Sequence, residues 1–377
     1  MTIMVENKIK KVFFIIGKLE GGGAERVVLT LLRHLDRKRF TPFLVLFEKE
    51  GAFLGKVPTD VIILDCERRR AGGGIRWFSN LVDFFRVERP DVALSFMWFS
   101  NAVTILSRFL ARIPCKVVVT EHSTLLGSRE GFFTEIVRKM SILTLYRAAD
   151  RILSISAAMK RQFVEIFWFP ERKIATINNP VEITEILRQA EEKINDWDFQ
   201  EDLPIVVGMG RLSPEKGFDN LIRAAGIVKI PFLLLLLGEG REERVFRELA
   251  THLGINNRVA FTGFLANPFP YLRRSSVFVL SSRYEGFPTA LVEAMAIGLP
   301  CIATRCPTGP EDIITDDVDG LLAPVENPEG IAQRIELLLA EPSIRARLGK
   351  AASERVREFD APEITRRYED LLDETTA

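Results

Sequence analysis

The chain has 377 residues and is 47% hydrophobic, enough for two sizeable cores at the usual ~100–200 residues per domain. Lys plus Arg (51) equals Asp plus Glu (51), so no net field surrounds the chain, which argues against non-specific nucleic-acid binding and against disorder. Cys66, Cys115, Cys301 and Cys306 form no C-x-x-C pair and none lies near a histidine at metal-ligand spacing, so a reduced, cytoplasmic chain without a metal centre is expected.

Lys8, Lys10 and Lys11 precede a short apolar run at 12–16. It is too short for a signal-peptide core, ends in Gly17 and lacks a small-residue cleavage site, so it reads as a first buried strand. Further strands are expected at 43–47, 61–64, 92–96, 116–120 and 152–155, with helices such as 24–34 and 77–87 between them. Continuous Val/Ile/Leu/Phe runs suit strands buried on both faces, and their alternation with helices implies a parallel sheet. The polar stretch 178–203 follows as a linker, with a short helix an option at 182–194. The second half repeats the theme, with strands at 205–209, 232–237, 259–262, 277–281 and 301–304 and helices at 218–228, 242–253, 289–297 and 328–341. The longest apolar run, 232–237, is far short of the ~20 residues a membrane span needs. The amphipathic segment 364–372 either closes the second domain or crosses back to the first.

Five constellations could carry chemistry. Gly21-Gly22-Gly23-Ala24-Glu25-Arg26 follows the first strand and opens a helix. Glycines there let backbone approach a phosphate closely, but the spacing matches neither dinucleotide nor P-loop fingerprints, and a flexible turn is the plain alternative. His122 ends the strand at 116–120; it either faces an inter-domain cleft or is a satisfied core histidine. In 132–146, Phe132, Phe133, Ile136, Val137, Met140, Leu143 and Tyr146 recur at helical spacing beside Arg138, Lys139 and Arg147. That segment is either an interfacial helix drawn to anionic lipid or an ordinary core helix with solvated cations.

The fourth constellation runs from Gly208 to Phe218 and places Arg211 and Lys216 on a loop at the carboxyl end of a parallel strand, where α/β ligands bind. Two cations there suit a diphosphate and would stabilise charge building on a nucleotide leaving group. The fifth is Ser282-Arg283-Tyr284-Glu285-Gly286-Phe287-Pro288-Thr289, continuing into a helix that carries Glu293. Pro288 fits the first helical turn, and the free N–H groups of residues 287–290 would then face an anion. Glu285 and Glu293 are placed to accept hydrogen bonds from sugar and ribose hydroxyls; a lone carboxylate among Leu291, Val292, Ala294, Met295 and Ala296 would be costly without a partner.

Taken in order, these residues resemble the GT-B glycosyltransferases of family 4, the retaining glycosyl transferases group 1, over nearly the whole chain. Glu285 and Glu293 match the family's paired glutamates, Arg211 and Lys216 its diphosphate cations, Gly21–Gly23 its glycine-rich turn, and His122 its histidine near the transferred sugar. The resemblance implies an α/β fold of two Rossmann-like domains whose parallel sheets face an inter-domain cleft. Residues 1–180 would be the acceptor side, optionally joined by 362–377, 181–203 the linker, and 204–361 the donor-binding domain. Catalytic roles would fall to His122, Arg211, Lys216 and Glu285. The donor would be held by these cations and Glu285, by Gly22 and Gly23, by Gly263, Phe264 and Leu265 around the base, by Gly286, Phe287, Pro288 and Thr289, and by Glu293 at the ribose. No metal and no cofactor is implied, the UDP-sugar being a substrate. Cys306-Pro307-Thr308-Gly309-Pro310-Glu311-Asp312-Ile313 and the glycine-rich turn point to a subgroup that adds hexose or N-acetylhexosamine units to polyprenyl-diphosphate-linked glycans. Partners are then a nucleotide sugar, a glycan or polyprenyl-linked acceptor and the inner face of the cytoplasmic membrane, with no nucleic acid. The weighed alternatives are a nucleotide-sugar epimerase or synthase on the same scaffold, and a non-catalytic binder.

Overall fold

The computed structural model describes residues 8–68, 76–122, 132–194 and 203–377. They divide into two compact units: one runs up to Pro180 and resumes at Ala361, and the other is Val181–Asp360.

The first unit is built on seven parallel strands: β1 (Lys10–Ile16), β2 (Phe40–Leu46), β3 (Ile62–Asp65), β4 (Val92–Phe96), β5 (Lys116–Glu121), β6 (Arg151–Ser154) and β7 (Ile174–Thr176). Their order is β3-β2-β1-β4-β5-β6-β7. Val12–Ile16 and Val92–Phe96 are buried throughout, because helices cover both faces. Those helices are α1 (Gly23–His34), α2 (Arg76–Glu88), α3 (Trp98–Ala111), α4 (Phe132–Thr144) and α5 (Ala157–Glu165).

The second unit opens with α6 (Ile183–Gln189) and contains β8 (Ile205–Met209), α7 (Phe218–Ile227), β9 (Leu233–Leu237), α8 (Glu243–His252), β10 (Val259–Phe261), α9 (Phe269–Arg274), β11 (Val277–Leu280), α10 (Thr289–Ala296), β12 (Cys301–Thr304), α11 (Pro310–Ile313), β13 (Leu321–Ala323), α12 (Pro328–Ala340) and α13 (Pro342–Arg355). Its sheet order is β10-β9-β8-β11-β12-β13. After Asp360 the chain returns to the first unit as α14 (Ala361–Thr376), which lies on α1 and β4.

Both sheets carry the 3-2-1-4-5-6 order of doubly wound dinucleotide folds, with one further strand, β7, on the first. In such sheets the winding reverses once, and ligands bind beyond the carboxyl ends of the two strands flanking that point. The switch points here are β1/β4 and β8/β11.

Three elements differ from the sequence reading. The stretch 181–194 is part of the second unit: Val181 and Ile186 are buried, and α6 packs on α9 and α10. Two apolar anchors in a polar stretch give no periodicity to read; residues 195–202 of the expected linker lie outside the described residues. The expected solvated cation Arg138 is 1% exposed, so α4 turns a guanidinium inward. And α3, which the sequence pattern does not reveal, buries Ser100, Asn101, Thr104 and Ser107 alongside Ala102, Val103 and Ile105 while exposing Leu106, Phe109 and Leu110.

Candidate functional site

At the β8/β11 switch point, the loops that follow the two strands are locked together. Lys216 ends the short 3-10 turn Pro214–Lys216 after β8, and its Nζ lies 2.7 Å from Glu285 Oε1 on the loop after β11. Ser282 Oγ donates to the same oxygen at 2.6 Å, and Ser281 Oγ donates to the Lys216 carbonyl at 3.0 Å. The Arg283 N–H donates to the Glu215 carbonyl at 2.8 Å. Glu285 is 8% exposed and Lys216 24%, so the pair is largely withdrawn from water and weakly screened.

Close backbone approach makes this possible. Gly217 (φ +62°) ends the turn, and a Cβ there would lie 2.1 Å from the Ser281 carbonyl oxygen. Gly309 (φ +95°) sits against Pro288, with a Cβ position 2.6 Å from its ring. The Thr308 hydroxyl donates to the Glu285 carbonyl. The Cys306–Ile313 run, a subgroup marker in the sequence, is therefore the brace behind Glu285.

Arg283 is a second brace that its position in the sequence does not announce. Its fork holds both oxygens of Asp219, at 2.8 Å each, on the first turn of α7. It also reaches the Pro214 carbonyl and Glu326. Asn220 donates to Glu326 at 2.9 Å, steadying a residue held at φ +55°. Burial opposes ionisation of Asp219, yet the Arg283 guanidinium keeps its carboxyl below the usual range.

The other expected residues of this unit are distributed as follows. Arg211 is exposed on the same β8–α7 loop as Lys216. Glu293 lies in α10 and is 7% exposed. Gly286, Phe287, Pro288 and Thr289 link Glu285 to α10, but the expected row of free N–H groups is shorter than predicted. Pro288 precedes the helix rather than opening it, and the Thr289 N–H is donated to the Phe287 carbonyl at 2.9 Å. The proline ring therefore supplies no donor, and a tight turn consumes the next. Gly263 (φ +72°) follows β10, accepts the Gly238 N–H at 3.0 Å, and leads into Phe264, which is 72% exposed, and half-buried Leu265.

In the first unit, the β1/β4 switch point is flanked by the glycine turn and the β4–α3 junction. The N–H groups of Gly21 and Gly22 are both donated to the Glu25 carboxylate, which reaches back from the first turn of α1 and caps its start without an N-cap side chain. At the junction, Met97 takes φ +75°, ψ 146°, a region costing about 1–3 kcal/mol for a residue with a side chain. Two bonds hold it there: its N–H donates to the Thr120 carbonyl at 3.0 Å, and its carbonyl accepts the Asn101 N–H at 2.9 Å.

His122 follows β5, with its ring stacked on Phe96 at 5.5 Å between centroids. The residue is half-buried, but both ring nitrogens are shielded from water and have no hydrogen-bond partner among the described residues. Burial drives its pKa down to about 3, so the imidazole is neutral. Behind it is a polar core that sequence reasoning missed. Asn101 Nδ2 donates to the Thr120 carbonyl at 3.0 Å, Ser95 Oγ donates to Asn101 Oδ1 at 2.7 Å, and the Tyr146 hydroxyl donates to buried Glu121. Burial first, and then the Glu121 charge, push the Tyr146 hydroxyl pKa well up. Of the expected interfacial segment, Ile136, Val137 and Met140 are exposed while Ile142 and Tyr146 are buried; the side chains of Phe132 and Phe133 lie outside the described residues.

Two family models cover most of the chain: Glycosyltransferase Family 4 over residues 21–185 and Glycosyl transferases group 1 over residues 189–355. An N-acetylgalactosamine-N,N'-diacetylbacillosaminyl-diphospho-undecaprenol 4-alpha-N-acetylgalactosaminyltransferase of Campylobacter jejuni is 26% identical over 95% of this chain and 98% of that protein. The lipopolysaccharide core biosynthesis glycosyltransferase LpsE of Rhizobium meliloti is 33% identical over 61% of this chain and 66% of its own length. Among solved structures, HepE of Anabaena in complex with UDP superposes with a TM-score of 0.80 at 22% identity, covering 97% of this chain and all of that one. The apo form of the lipopolysaccharide outer core galactosyltransferase WaaB matches with a TM-score of 0.77 at 18% identity, covering 97% of this chain and 99% of that one.

Proposed function

The chain belongs to the glycosyl transferases group 1 family of GT-B glycosyltransferases, and on that premise we propose that it moves a hexose or N-acetylhexosamine from a UDP-sugar to a polyprenyl-diphosphate-linked or other surface-glycan acceptor, retaining the anomeric configuration. The observation that carries this reading is the Lys216–Glu285 pair at 2.7 Å on the switch point of the second sheet. It puts a cation for phosphate and a carboxylate for sugar hydroxyls side by side, at the position where such sheets bind nucleotides. The Campylobacter relative's undecaprenol-linked substrate and the UDP held by HepE support the choice of acceptor class and nucleotide.

In this reading the acceptor hydroxyl oxygen bonds to the anomeric carbon on the face from which the diphosphate departs. The bond from that carbon to the β-phosphate oxygen breaks, UDP leaves with the electron pair, and a departing phosphate oxygen takes the acceptor proton. Lys216 and Arg211 stabilise the charge growing on the diphosphate. Glu285 accepts from the sugar hydroxyls and Glu293 from the ribose, with Gly263, Phe264 and Leu265 around the base and Gly286–Thr289 along the phosphates. Gly22, Gly23 and His122 belong to the first unit, where the Gly22 N–H is already given to Glu25 and both His122 nitrogens are shielded from water, so a part in transfer requires those groups to be released. The cations do the work that a divalent metal would otherwise do, so transfer persists in EDTA. The deciding experiment is a mass-spectrometric screen of UDP-sugars against membrane lipid extract. A single-sugar mass increment on a polyprenyl diphosphate glycan is expected, and isomerised UDP-sugar with no transfer would overturn the proposal.

A membrane-surface location belongs to the same reading. No helix among the described residues is long and apolar enough to cross a bilayer. Instead, α3 turns Leu106, Phe109 and Leu110 outward ahead of exposed Arg112, and α4 turns Ile136, Val137 and Met140 outward beside Lys139, which pairs with Glu135 at 2.8 Å. Exposed apolar side chains interspersed with cations suit the headgroup region of an anionic bilayer.

A further inference from the structure

We propose that Met97 and Trp98 form a sugar-stacking subsite for the acceptor glycan on the first unit. The inference rests on the glycosyltransferase reading for the identity of its ligand, but the site itself is argued from the geometry of this unit alone.

The starting point is Met97. Its φ of +75° with ψ of 146° falls where residues other than glycine are seldom found. Nothing local demands a methionine: a glycine would make the same turn without strain. The strain survives because Met97 is tied to Thr120 on one side and Asn101 on the other, and Asn101 is itself held by Thr120, Ser95 and Tyr146. A buried polar core thus enforces an unfavourable backbone conformation at one exposed residue. Met97 is 40% exposed, so its side chain is not retained for packing.

The enforced turn has a visible result, since it starts α3 with Trp98. That indole is half-buried and meets Phe99 edge to face at 5.7 Å. Phe99 is in turn fixed by Trp77 at 6.1 Å and by the Arg68 guanidinium, 5.1 Å from its ring. Trp98 therefore belongs to a chain of aromatic contacts and follows directly on Met97, which is 40% exposed. Both lie at the carboxyl end of β4, one side of the β1/β4 switch point where a sheet of this order binds its ligand. A half-buried indole next to a polarisable apolar residue offers a flat apolar surface, suited to the C–H face of a pyranose whose hydroxyls remain free to hydrogen-bond. The ligand class is accordingly a neutral pyranose, not a phosphate.

The test is saturation-transfer NMR on the full chain, using methyl glycosides of glucose, galactose and their 2-acetamido analogues as probes, with UDP binding measured in parallel. At least one glycoside is expected to receive saturation from the wild-type protein. Trp98→Ala should reduce that transfer about ten-fold, and Trp98→Phe should keep most of it. Met97→Gly is the second variant: it relieves the backbone, so the melting temperature holds or rises, while glycoside binding weakens several-fold. A structural role for Met97 predicts the first effect without the second. Glycoside binding that is undiminished in Trp98→Ala and Met97→Gly overturns the subsite, as does a wild-type protein that binds UDP and no glycoside. Tryptophan-dependent glycoside binding with no affinity for UDP would uphold the subsite and remove the donor reading instead.

Discussion

Lys216 and Glu285 show why a site residue is best judged by its neighbours. Each is marked in the sequence only by its place in a motif; in the structure they share an ion pair that Ser282 completes. Lys216→Ala should lower kcat on the order of 10²–10³-fold, the usual loss when a donor to developing charge is removed. The melt should also fall, because the Glu285 carboxylate, 8% exposed, keeps the Ser282 hydrogen bond but loses its counter-charge, so activity is compared below the lowered melting point. His122 makes a prediction about pH. Its folded pKa, about 3, lies below the ordinary 6.5, so between those values the unfolded chain binds the extra proton. Stability contributed by neutral His122 is fully present above pH 6.5 and is lost as the pH falls toward 3. His122→Phe should flatten that acid-side decline in urea melts recorded from pH 7 to 4, and an unchanged slope would remove the buried-imidazole reading. The charged residues here were legible because their types and order are distinctive. Ser282, Thr308 and Arg283 were not, since a lone hydroxyl or guanidinium acquires meaning only from what lies opposite it in space.

At the scale of elements, the strands were legible wherever five or more apolar residues ran together, as in β1 and β9. β7 (Ile174–Thr176) and β13 (Leu321–Ala323) went unread because three residues cannot establish a period, whereas equally short β10 (Val259–Phe261) was read as part of the longer stretch 259–262. α3 was hidden for a different reason. Its inward face mixes Ser100, Asn101, Thr104 and Ser107 with Ala102, Val103 and Ile105, and its outward face keeps Leu106, Phe109 and Leu110, so no apolar stripe stands out in the sequence. The outward apolar residues give a surface prediction: the full chain should float with vesicles of phosphatidylglycerol and less with phosphatidylcholine. Phe109→Ser with Leu110→Ser should abolish flotation while leaving UDP binding intact. The loop elements make a contrasting pair. Gly217 and Gly254 both have positive φ, but a Cβ meets the Ser281 carbonyl at 2.1 Å in the first and nothing within 4 Å in the second. Gly217→Ala should therefore cost well over ~1 kcal/mol and raise the donor KM. Gly254→Ala should cost only the left-handed backbone penalty of about 1–2 kcal/mol and leave KM alone.

At the scale of the molecule, two hydrophobic cores were evident from length and composition, whereas the route of the chain between them was not. The amphipathic 364–372 left two destinations open, and only burial of Ile364, Tyr368 and Leu372 with the first unit decides between them. Ion pairs reinforce that docking: Arg39 reaches Glu369 at 2.8 Å, and Lys10 reaches Asp373 at 2.6 Å. Ending the chain after Asp360 should uncover an apolar face of α1 and β4, lower the first melting transition and accelerate proteolysis within the first unit. An unaltered melt would show that α14 is dispensable. The second unit, by contrast, begins and ends in one place. Val181 bridges Asp360, and its N–H donates to the Phe359 carbonyl at 2.9 Å. A domain whose termini adjoin behaves as an insertion: it can be excised, closed on itself or exchanged for a counterpart without stretching the host chain. The segment 181–360 is thus a transplantable module, and grafting the equivalent stretch of a relative between Pro180 and Ala361 tests whether this unit sets the donor choice proposed above.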